Sequence, residues 1–175
     1  MADDMTPSND TRASTGKPSA PDFVYTIFIC ADIDTVWNAL TDGDLTRRYW
    51  GHENTSSWDV GAPWEHVRAN DTGNIDIRGR VIEMDPPTRM VWSWASPAEA
   101  DNPEKCSRVT YELIALGPDT RLTVTHTELE PDSRMNKGIR QGWPAVLSNL
   151  KTILETGNVL REDEWPKDPD AINCG

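Results

Sequence analysis

Three histidines, eight tryptophans and three tyrosines are the side chains in this 175-residue sequence best suited to chemistry or recognition. His126 follows Leu122 and Val124 at alternate positions of a strand-like run, so the three share a face. The first two are apolar, so that face looks inward. Met90, Trp92 and Trp94 share a face by the same parity, as do Val109, Tyr111 and Leu113. A polar handle among aromatic walls is the composition of a small-molecule pocket. It is equally that of a core whose histidine bonds to a neighbour. Trp64, His66 and Arg68 alternate against Glu65 and Val67, and periodicity does not say which set faces inward. His66 is therefore a ligand contact on one reading and a surface strand histidine on the other. Trp50, ending a short helix, and Trp143, beginning a long one, are cavity walls or ordinary packing. The candidate ligand-binding set is Trp50, Trp64, His66, Trp92, Trp94, Tyr111, His126 and Trp143. Tryptophan is a costly filler, because its N–H needs a partner when buried.

Other chemistries lack their signatures. There is no GxSxG elbow, no GxxxxGK[ST] phosphate loop and no GxGxxG fingerprint, and His52-Glu53 lacks the second histidine of HExxH. Cys30, Cys106 and Cys174 are widely spaced without a CxxC pair. No metal and no cofactor is expected. Asp32, Asp34, Asp42 and Asp44 read as helix caps and turn residues, and Arg47-Arg48 as a solvated helix face. A cavity enzyme that uses one His or Asp as general acid or base leaves no motif. Catalysis of a cyclase, dehydratase or hydrolase type therefore stays open beside plain binding, with no catalytic residue assigned.

Seventeen basic against twenty-nine acidic residues leave a net charge of −12, which repels nucleic acid and anionic membrane surfaces. No run approaches the ~20 apolar residues that span a bilayer, and the first residues lack the basic start and apolar run of a secretory signal. The expected location is the cytoplasm, with neither nucleic acid nor membrane as partner.

The elements that must position these residues follow from patterning. Residues 1–20 are polar with little to bury and read as a flexible tail, residues 21–157 as one domain, and 158–175 as a second polar tail. Phe23 to Cys30, rich in β-branched and aromatic residues, reads as a strand. A helix capped by Asp32 or Asp34 carries Val36, Trp37 and Leu40, and a second short helix fits Asp44 to Tyr49. Turn signals at 60–63, 69–73, 85–87 and 117–119 then separate strands near 53–59, 63–68, 74–84, 90–95, 107–116 and 120–128. Residues 96–105 read as a mobile loop.

The chain closes on an amphipathic helix. Trp143, Val146, Leu147, Leu150, Ile153 and Leu154 form its apolar face, with Ser148, Asn149, Lys151 and Glu155 opposite. Pro144 either opens this helix or lies inside a longer one starting near Ser133, and Gly157 stops it.

The order of strand, two helices, six-strand meander and long helix is familiar. So are Leu45-Thr-Arg-Arg-Tyr-Trp50, Gly79-Arg-Val-Ile-Glu-Met-Asp-Pro-Pro87, Val91-Trp-Ser-Trp94 and the helix from Gly142-Trp143 to Glu155. Over residues 21–157 the chain resembles the START-like (SRPBCC) superfamily. Within it, the likeness is to bacterial homologues of the activator of the ninety-kilodalton heat-shock protein's ATPase, in its C-terminal domain. The resemblance implies an α+β helix-grip fold, a curved antiparallel sheet wrapped around the long C-terminal helix. It also implies a cavity between them of the kind the superfamily uses for lipids, sterols, polyketides and other apolar molecules. The implied partners are a small hydrophobic molecule or a chaperone; apart from the resemblance, a second copy of the chain is a candidate partner through a sheet edge or exposed aromatic residues.

Overall fold

The structure, a computed structural model, describes residues 19–69 and 73–160. Most of both polar tails, Cys174 and the centre of the 69–73 turn lie outside the described residues. The elements run β1 (Phe23–Ile29), α1 (Ile33–Thr41), α2 (Gly43–Trp50), β2 (His52–Ser56), β3 (Pro63–Arg68), β4 (Ile75–Asp85), β5 (Arg89–Trp94), β6 (Ser107–Leu116), β7 (Asp119–Thr127) and α3 (Arg134–Thr156). A 3-10 turn at Pro103–Lys105 follows β5, and a cis Pro86–Pro87 bond lies in the β4–β5 turn.

Each helix begins at a side-chain cap. Asp32 accepts from the Thr35 N–H, Asp42 from Leu45 and Ser133 from Asn136, which satisfies amide donors that a first turn leaves open. Gly51 and Gly157 end α2 and α3 in the left-handed region, at φ of 72° and 76°.

The strands form one antiparallel sheet in the order β1-β7-β6-β5-β4-β3-β2. Two register shifts, between His66 and Val67 and between Val81 and Glu83, bend it in the way bulges do. Strict alternation along β6 and β7 buries Val109, Tyr111 and Leu113 beside Leu122, Val124 and His126, as their parity predicts. β3 buries Trp64 and His66, which resolves the parity that the sequence leaves open. The helix-grip fold is thus present, with α1, α2 and α3 against the concave face.

Two local expectations change and one open alternative is settled. β2 ends at Ser56 rather than 59 because the Ser56 hydroxyl donates to the Pro63 carbonyl and accepts from the Trp58 amide, turning the chain early. The last helix is the longer of the two alternatives, with Pro144 inside it. Asn149 is buried, not opposite the apolar face: its Nδ2 donates to the Tyr49 carbonyl at 2.7 Å and its Oδ1 accepts from the Leu160 amide at 2.7 Å. A polar side chain there is compatible with burial because both its ends are bonded.

Candidate functional site

Gly79 makes room for the first aromatic layer. A Cβ on it would stand 1.9 Å from the Ser93 carbonyl oxygen and 2.5 Å from Trp64 Nε1. Its absence lets the Trp64 indole donate to the Ser93 carbonyl at 2.9 Å and lie against Trp92 and Trp94, each at 5.1 Å between ring centroids. Trp92 continues to Tyr111 at 4.7 Å, and Trp94 to His126 at 5.7 Å. From above, Trp143 of α3 covers Trp94 and Tyr111, both at 5.8 Å, while Trp50 closes on His66 at 4.6 Å and on Trp143 at 5.2 Å. All eight candidate residues therefore meet in one cluster between the sheet and α2/α3. Such ring pairs contribute roughly 0.5–1.5 kcal/mol each beyond area burial.

Two histidines sit in this cluster with different freedom. Trp143 Nε1 donates to His126 Nδ1 at 3.3 Å, so Nδ1 carries the lone pair and the proton belongs on Nε2. Nε2 then donates to Ser107 Oγ at 2.8 Å, and the Ser107 hydroxyl donates to the Trp94 carbonyl at 3.0 Å. Burial holds the His126 pKa down at about 3, so the ring is neutral and both its nitrogens are engaged. His66 donates from Nδ1 to Asn54 Oδ1 at 2.6 Å, which leaves its Nε2 as an acceptor with no partner among the described residues. Burial, and next the charge of His52, push its pKa well below the usual value. His52 stacks on it at 4.0 Å and faces Asp76 Oδ2 at 2.7 Å, and Arg68 joins the same carboxylate.

Three buried polar atoms in the cluster have no hydrogen-bond partner among the described residues: Trp92 Nε1, Trp94 Nε1 and Tyr111 Oη. Burial drives the Tyr111 pKa well up, so its hydroxyl stays a donor. Leaving such a donor unpaired costs about 1–3 kcal/mol, and native interiors rarely carry three together without a reason.

Among the described residues no group of three or more His, Cys, Asp or Glu stands close enough to hold a metal. A depression of about 290 Å³ lies on the opposite, outer face of the sheet. It is lined by Arg89, Glu112, Ile114 and Arg121 among others, and Arg89 is already paired with Glu83 and Glu112. It lacks the aromatic walls of the interior. Arg47 pairs with Glu53 and Arg48 Nη2 donates to the Gly157 carbonyl, as a solvated helix face does.

Sequence reasoning passes over three residues that belong here. Trp58 stacks on Trp92 at 5.0 Å from a coil position with φ of 61°. Its odd backbone left no trace in strand periodicity. Asn54 and Ser107, which bond to His66 and His126, are ordinary polar letters until the register pairs them. Asn54 lies directly opposite His66 across β2 and β3.

The profile of the family described as Activator of Hsp90 ATPase homolog 1-like protein matches residues 31–155. Among solved structures, the Aha1 dimer from Colwellia psychrerythraea superposes with a TM-score of 0.65 at 21% identity, covering 79% of this chain and 98% of that one. CalU16 from Micromonospora echinospora gives 0.61 at 23% identity over 78% and 77%. An HSP90 activator from Plasmodium falciparum gives 0.61 at 25% identity over 76% and 95%. No curated protein matches this sequence.

Proposed function

From its place in the Activator of Hsp90 ATPase homolog 1-like family, to which this chain belongs, we propose that the protein binds or sequesters a small hydrophobic, aromatic ligand between its sheet and α3. The observation that carries this is the set of three buried, unpartnered polar atoms in a wall of aromatic rings. Trp92, Trp94, Tyr111, His126 and Trp143 are the lining, with Trp50, Trp64 and His66 at one end. We assign His126 no catalytic role, since the neutral ring has both nitrogens engaged and is not free to move a proton to or from a bound molecule. The same donors are sealed from water in this conformation, so the interior opens before a ligand enters.

Native mass spectrometry of gently purified protein, followed by denaturing extraction, tests the reading. A stoichiometric small-molecule adduct that is lost in Leu150→Trp supports it. An apo mass combined with no saturable uptake of added aromatic compounds overturns it. A chaperone-associated role, in keeping with what the Plasmodium relative is called, would use the outer surface instead. Under that role Leu150→Trp leaves partner binding intact.

A further inference from the structure

The polar atoms of the interior form a pattern, and the pattern describes a molecule. Trp92 Nε1, Trp94 Nε1 and Tyr111 Oη are donors without acceptors. His66 Nε2 is an acceptor with no donor among the described residues, because Nδ1 spends its proton on Asn54, and unlike the three donors it is not sealed from solvent. Trp92 and Tyr111 are neighbours at 4.7 Å, and His66 and Trp94 at 5.9 Å, so the free groups fall into two adjoining sets.

The buried polar side chains of the described residues are all threonine, serine, asparagine or histidine, with no carboxylate, ammonium or guanidinium among them. The charges near His66, on Asp76 and Arg68, are at the rim and paired with each other, and the His52 ring bonds to the same carboxylate. A charged ligand would lose its water without gaining a counter-ion.

We propose that the ligand is an uncharged, planar ring system bearing oxygen acceptors and a hydroxyl group. Its oxygens accept from Trp92, Trp94 and Tyr111, and its hydroxyl donates to His66 Nε2. This rests on the interior being the binding site, and deepens that reading by naming the ligand's chemistry. The walls are themselves flat rings, which favours a flat guest over a fatty chain of equal area.

Equilibrium dialysis of the full chain against four compounds of one skeleton tests it: 2-hydroxy-9-fluorenone, 9-fluorenone, fluorene and 9-fluorenone-2-carboxylate. The expected order of affinity is that order for the first three, with fluorene about tenfold or more below 9-fluorenone and the carboxylate not retained. Tyr111→Phe, which keeps the ring, should weaken 9-fluorenone but leave fluorene unchanged. The same substitution should raise the melting temperature of the ligand-free protein, because it removes a stranded hydroxyl. Fluorene binding as tightly as 9-fluorenone, or the carboxylate matching it, overturns the inference while leaving the interior a binding site. Retention of none of the four overturns the binding reading and this inference with it. Should Tyr111→Phe fail to fold, the ranking of the four on the unmodified chain still decides.

Discussion

Protonating His126 would break the bond that Trp143 donates to its Nδ1 and would place a charge in an interior with no counter-ion. Its folded pKa, about 3, lies below the value near 6.5 of an exposed histidine, so the unfolded chain takes up the proton first. The stability this histidine contributes is therefore fully present above about pH 6.5 and is lost as pH falls toward 3. His66 is shifted in the same direction. Each histidine should remove up to about 1.4 kcal/mol of stability per pH unit in that window. Urea unfolding at a series of pH values from 7.5 to 4.5 would show it, and His126→Gln should flatten part of the slope. A profile with no loss below pH 6 sinks the assignment. Ser107→Ala, which strands the His126 Nε2 proton, should cost about 1–3 kcal/mol by the same assay. At this scale alternation placed His126 inward correctly. Its partners stayed hidden, because they come from a neighbouring strand and from α3, and a single sequence carries no register between elements.

In α3 the residues before and after Trp143 work against the helix. Gly138 and Gly142 are poor helix formers, and Pro144 has no N–H to offer the Arg140 carbonyl one turn back. The stretch Arg134–Trp143 is thus the weaker half of α3, although it holds the ring that covers Trp94 and Tyr111. We expect opening of the interior to proceed through this half. Gly142→Ala should stabilise the helix by up to about 1 kcal/mol, slow amide exchange in Arg134–Trp143, and slow the release of a bound ligand. Exchange unchanged there but slower in β6 and β7 would place the opening elsewhere. Helix and strand positions were largely legible in the sequence, because caps and alternation are local signals. Whether Pro144 begins or interrupts the helix was not, since proline is tolerated inside a helix only when packing compensates. That packing comes from a sheet a hundred residues away in sequence. Asn149 reads as polar and outward for the same reason: its acceptor, the Tyr49 carbonyl, is supplied by another helix.

Taken as a whole, the molecule engages part of each open edge of its sheet with side chains from its helices. Along β1, Lys151 donates to the Phe28 carbonyl at 2.7 Å, the Cys30 amide donates to Glu155 at 2.8 Å, and Arg140 reaches the Pro21 carbonyl. Along β2, the Asn54 amide donates to Thr46 of α2. Occupied edges resist strand-to-strand pairing. Of the two routes to a homodimer that the sequence suggests, the second is an exposed face, here apolar rather than aromatic-rich: Val24 and Phe28 of β1 are 59% and 58% exposed, with Ile114 and Leu116 nearby in the sheet. Sedimentation velocity should show weaker self-association for Phe28→Glu, and stronger for Lys151→Ala, which uncovers the β1 edge. An unchanged Lys151→Ala profile would mean the edge was protected by something other than α3. No described helix is long and apolar enough to cross a membrane. The tryptophan cluster has one more consequence, in optics. Trp50, Trp64, Trp92, Trp94 and Trp143 form a connected chain of indoles at centroid spacings of 5.1 to 6.1 Å. Rings that close share their electronic excitations, so the fold carries a built-in chiral chromophore. Its circular-dichroism couplet should weaken as soon as α3 lifts and takes Trp143 out of the chain, while the backbone signal is still whole.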